Sequence, residues 1–120
     1  MKTTKYRAWD KVRKKMFKIL AITFDTQSQA PFALSIPGRS WEPISKFELL
    51  QWTGFTDREG TEIYEGDRLE IETLHYLVFW NDAEACFQLK SETSEQNVSI
   101  KQAASGKVIG HRFEESCEQL

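Results

Sequence analysis

Asp57-Arg58-Glu59-Gly60-Thr61-Glu62-Ile63-Tyr64-Glu65-Gly66-Asp67-Arg68-Leu69-Glu70-Ile71-Glu72-Thr73 carries the clearest structural signal in the chain. Its first four residues spell a hairpin turn, with Gly60 where φ must become positive after a type I turn. Residues 61–64 read as a short return strand, and Glu65-Gly66-Asp67 as a second sharp turn. Over 68–73, Leu69 and Ile71 alternate with Glu70 and Glu72, the period of a half-buried strand. These seventeen residues read as two short strands set off by sharp turns.

The same punctuation continues outward. Residues 75–80 form an aromatic and β-branched strand, Asn81-Asp82-Ala83 turns it, and residues 85–90 return. After a polar loop over 91–97, residues 98–104 suit one or two helical turns stopped by Gly106, and 107–113 form a closing strand. Upstream, a helical turn over 43–46 leads into a strand over 48–56. Residues 25–43, with Pro31, Pro37-Gly38 and Pro43, read as a long loop, and Trp41 is expected to anchor its end on the core. Residues 5–10 open the chain as a strand, 10–15 make a basic turn, and 16–24 return as one strand. The expected fold is mainly β: a small antiparallel barrel or rolled sheet with an N-terminal β-hairpin and one or two short helical turns.

Composition agrees. At 120 residues and 14.0 kDa the chain suits one domain, with about two-thirds of its surface buried. Hydrophobic residues at 40% and charged residues at 28% exclude disorder and collagen-like repeats. No apolar run reaches the roughly 20 residues of a spanning helix, so no membrane partner is expected. The basic start followed by residues 16–24 mimics an export signal, but Lys18 interrupts it, Asp25 ends it early and no small-x-small site follows. Cys86 and Cys117 are too few for a disulfide framework, so a reducing, cytoplasmic setting is expected.

Charge is strongly segregated. Residues 1–18 hold eight bases against Asp10 alone, while the remainder holds eight bases and 17 acids, giving +7 and −9 within a net charge of −2. Such an arm suits a phosphate backbone, an anionic surface or the acidic body itself.

The opening Lys5-Tyr6-Arg7-Ala8-Trp9-Asp10, then Lys14-Lys15-Met16, the central run from Leu49 to Asp67, Val78-Phe79, Phe87-x-Leu89 and Val108-Ile109-Gly110 together resemble the phage-encoded YopX proteins. Residues 25–43 and the tail His111-Arg112-Phe113-Glu114-Glu115-Ser116 depart from the family pattern. The resemblance implies a small, mostly β protein from a phage or prophage, working in a bacterial cytoplasm, and it carries over no catalytic or binding residue.

Nor does a catalytic constellation emerge from the residues. Asp57, Glu59, Glu62, Glu65, Asp67, Glu70 and Glu72 lack the EF-hand spacing, and turn tips and a solvated strand face account for them. His75, Cys86, His111 and Cys117 lack the short spacing by which a turn presents two zinc ligands together. Cys86 with His111 has no third orienting group, and the six glycines stand singly, so no phosphate loop exists. Neither an enzyme nor a cofactor is expected. Among the fifteen aromatic residues, Trp9, Phe79 and Phe87 are assigned to the core, while Trp41 and Trp52 are the ones left for exposure. The resulting expectation is a non-enzymatic interaction module that docks a host or phage protein. The alternative is a small nucleic-acid-binding β-barrel. In both, Lys11, Arg13, Lys14 and Lys15 at the hairpin tip are the candidate contacts.

Overall fold

The computed structural model describes residues 5–113, and every strand pairing in it is antiparallel. Helix is confined to short segments, so the mainly β expectation holds. The chain divides into two compact units, Lys5–Gln51 and, among the described residues, 52–113.

In the first unit, β1 (Tyr6–Asp10) and β2 (Lys15–Lys18) form the expected N-terminal hairpin, with Asp10 opposite Lys15 and Arg7 opposite Lys18. The return does not run on to residue 24. The chain leaves the hairpin at Ile19-Leu20, and β3 (Ala21–Phe24) pairs instead with β4 (Pro31–Ser35), which pairs with β5 (Glu42–Pro43). Seven of the nineteen residues expected to be loop, 31–35 and 42–43, are therefore sheet. Its prolines concealed this: Pro31 is the first residue of its strand and Pro43 lies in a two-residue edge strand, where a missing N–H is tolerated.

A 3-10 turn over Ile44–Lys46 leads into β6 (Phe47–Thr56), whose first half pairs with β1. Ala8, Leu34, Ile36 and Phe47 are buried together, with Phe17, Ile19, Ile22 and Ile44 packed against them. Trp9 is buried as expected. Trp41 is not the anchor: it is 52% exposed, and Leu34 and Ile36 fill the core that it was expected to reach.

The second unit starts with the end of β6, which pairs with β7 (Glu62–Tyr64). Gly54 interrupts the register of that pair, with φ of +90°. The 57–60 turn then closes as the sequence predicts, with Gly60 at φ +85°. Next come β8 (Asp67–Ile71), β9 (Leu74–Asn81), β10 (Cys86–Ser91), β11 (Asn97–Ser99), a 3-10 segment over Ile100–Ser105 and β12 (Lys107–His111). These five strands form one sheet in the order β11-β10-β9-β8-β12.

One sheet face packs Leu69, Val78 and Leu89 against Ile63, Ile100 and Ala103. Each fully buried aliphatic side chain contributes roughly 1.5–3 kcal/mol. Phe87 joins this cluster, but Phe79, placed in the core by its sequence, is next to Val78 in β9 and points to the opposite face, where it is half-buried. The strand read through residue 73 ends at Ile71. Glu72 and Thr73, both with positive φ, make the two-residue turn to β9.

Candidate functional site

The hairpin tip between β1 and β2 is built around a carboxylate. Asp10 ends β1 and is fully buried. Its Oδ1 accepts the backbone N–H groups of Val12 and Arg13, each at 2.9 Å. Its Oδ2 accepts from the Arg13 guanidinium, which also donates to Glu42 Oε1 at 3.1 Å and Glu42 Oε2 at 3.4 Å. Burial alone would push the Asp10 carboxyl upward. The Arg13 N–H, the Arg13 guanidinium and the Val12 N–H outweigh it and hold the group below its ordinary value. The bonds to Glu42 and Asp10 in turn keep Arg13 above its own. The turn is braced from within.

This brace sorts the four candidate bases. Arg13 is engaged inside the turn. Lys11 donates its backbone N–H to Lys46 O at 3.0 Å, and its Nζ lies 3.4 Å from Ser45 O and 3.8 Å from Glu48 Oε1. Lys14 holds the left-handed conformation, φ 59°, and closes the turn with its N–H on Asp10 O at 2.9 Å. The Lys14 and Lys15 side chains are exposed, with no ionic partner among the described residues. Lys18 and Arg39 share that condition. Val12, 74% exposed, is on the same turn as Lys14.

The unit as a whole is basic. Lys5–Gln51 holds nine bases and four acids, a net of +5, whereas residues 52–113 hold six bases and eleven acids, a net of −5. The basic unit also exposes Phe24 (52%), Phe32 (66%) and Trp41. Trp52 is only half-exposed and donates its Nε1–H to Phe55 O at 3.2 Å.

The carboxylate-rich stretch has structural partners. Asp57 is buried; its Oδ1 accepts from Glu59 and Thr61, and its Oδ2 accepts the N–H of Val108 in β12, all at 2.9 Å. Desolvation opposes ionisation there, but the bonds from Val108, Thr61 and Glu59 with the Arg58 charge lower its pKa. Asp67 is buried and accepts from Tyr64 N–H at 2.8 Å. Glu70 meets His75 at 3.1 Å and Glu59 meets Lys107 at 3.6 Å. Among the described residues no three His, Cys, Asp or Glu side chains are grouped to hold a metal ion. Cys117 lies outside the described residues. Sequence reasoning missed Asp10 as the organiser of the tip; an Asp at a strand end followed three residues later by Arg is the signal for it.

No curated protein matches the chain. Among solved structures, the crystal structure of protein EF1440 from Enterococcus faecalis matches with a TM-score of 0.73 at 22% identity, covering 97% of each chain, a likeness of fold. The family described as YopX protein matches residues 5–117, nearly the whole length. The chain belongs to the YopX family.

Proposed function

We propose that this protein is a non-enzymatic accessory factor of a phage or prophage, working in the bacterial cytoplasm. On this reading it docks a host or phage protein through the basic hairpin tip. The braced turn carries the argument. Asp10, Arg13 and Glu42 fix the tip from inside, so the backbone that carries Val12, Lys14 and Lys15 has little ordering left to lose on binding. An exposed apolar side chain on the same turn as the unpaired Lys14 and Lys15 suits an acidic protein surface with an apolar spot. Replacing Val12 with a photo-reactive residue and irradiating infected cells tests this. The expected product is one protein adduct, lost when Lys14 and Lys15 are reversed to Glu. Labelling that survives the reversal unchanged would refute the assignment.

A second reading rests on Phe24, Phe32 and Trp41, exposed aromatics in a unit of charge +5 that suit stacking with single-stranded nucleic acid. It predicts quenching of tryptophan fluorescence by an oligonucleotide, reversed by salt. The first reading predicts none.

A further inference from the structure

On the second unit, the sheet face opposite the Leu69–Val78–Leu89 core carries a cross-strand row. Gly110 of β12 stands opposite Arg68 of β8, Arg68 opposite Leu77 of β9, and Leu77 opposite Lys90 of β10. The row puts two cations on either side of an aliphatic floor, and Gly110, without a side chain, leaves its end open. Arg112, just past β12, adds a third cation. Arg68, Leu77, Lys90, Ser91, Glu92 and Arg112 line an open cleft of about 470 Å³.

Only one of the three cations has its charge matched. Arg68 donates from Nε and Nη2 to the two Glu92 oxygens at 2.8 and 3.0 Å. That bond, with the Arg68 and His75 charges, outweighs desolvation and holds the Glu92 carboxyl below its ordinary value. Lys90 is exposed and has no ion pair among the described residues. Arg112 is fixed by its backbone N–H on Gly66 O at 2.9 Å, and its guanidinium stacks 4.7 Å from the centre of the Phe113 ring. It too has no ion pair among the described residues. Three cations and one carboxylate leave the cleft at +2, on a unit whose net charge is −5.

We propose that this cleft binds a small phosphorylated molecule, with its phosphomonoester held between Lys90 and Arg112 and its body lying on Leu77. A phosphomonoester dianion matches the uncompensated charge. The stacked guanidinium offers a planar fork and Lys90 a point charge, a pairing suited to phosphate oxygens. The volume exceeds what bare phosphate fills, which leaves space for a body of sugar size. This site is separate from the hairpin tip and does not depend on its role.

Amide NMR titration of the full chain with inorganic phosphate, ribose 5-phosphate, ribose and succinate tests it. Ribose 5-phosphate should shift the amides of Arg68, Leu77, Lys90 and Arg112 saturably and bind more tightly than phosphate. Ribose should produce no shift, and succinate should bind more weakly. Lys90→Ala and Arg112→Ala should each weaken binding about tenfold, while Lys101→Ala, an exposed lysine away from the cleft, should leave it unchanged. Absence of saturation, equal weakening by Lys101→Ala, or equal binding of ribose would overturn the proposal. Succinate binding as tightly as ribose 5-phosphate would overturn the phosphate assignment. Phosphate binding as tightly as ribose 5-phosphate would overturn the assignment of a body to the cleft.

Discussion

Replacing Asp57 with Asn is the most informative single change to the fold. The carboxylate is 5% exposed and collects three backbone N–H groups, two from its own turn and one from Val108, fifty-one residues away. An amide keeps one acceptor oxygen and turns the other position into a donor. Either Val108 or the Glu59 and Thr61 pair then faces a second donor across a buried contact. With bonds to a charged group worth about 1.5–3 kcal/mol and an orphaned buried N–H costing a similar amount, Asp57→Asn should lose about 2–4 kcal/mol. That is a large share of the roughly 5–15 kcal/mol that stabilises a small protein. Urea denaturation measures the loss, and hydrogen exchange at Val108 and neighbouring β12 amides should accelerate. A loss below about 1 kcal/mol with unchanged exchange at Val108 would refute the reasoning.

The remaining predictions follow from the same geometry. The carboxyls of Asp10, Asp57 and Glu92 are all lowered, so each releases its proton at lower pH when folded than when unfolded. Their stabilisation is complete above the unfolded values of about 3.9 to 4.3 and is lost as pH falls through the folded ones. Denaturation midpoints should therefore fall on acidification below about pH 5, with a shallower fall in Asp57→Asn; equal slopes would count against it. Thr73→Gly should raise stability by about 0.5–1 kcal/mol in a thermal melt, because a β-branched residue at φ 73° is strained. Gly106→Ala should cost about 1–3 kcal/mol by urea denaturation, since a Cβ there would lie 2.6 Å from Ile71 Cγ1 and 2.9 Å from Glu70 O.

The sequence was most legible where turn chemistry and alternation agreed. Asp57 and Gly60 marked one hairpin, and Leu69 and Ile71 marked the face of β8 that meets the core. Legibility failed where a local signal pointed the wrong way. Pro31 and Pro43 resemble loop residues, yet both occupy strand positions that need no ladder donor, so β4 and β5 were hidden. Glu72 and Thr73 lack the Asn-Gly signature of a two-residue turn, so the end of β8 could not be seen. At the candidate site, counting charges found the tip but not its division of labour. That division depends on Glu42, 29 residues from Arg13 in sequence, reaching the guanidinium that Asp10 already holds. The cleft on the second unit was equally hidden, because Arg68, Lys90 and Arg112 come from three separate elements.

The role of the hairpin tip is tested most directly by affinity as a function of salt. Wild-type protein and the Lys14→Glu/Lys15→Glu variant are titrated against the partner captured at Val12, from low to physiological ionic strength. The two lysines are solvent-exposed and unpaired, so the variant should melt within a degree or two of wild type. At low salt it should bind at least about tenfold more weakly, and the gap should narrow as the screening length shortens to about 8 Å. Equal affinities at low salt, with both proteins folded, would contradict the account and leave the tip without a binding role.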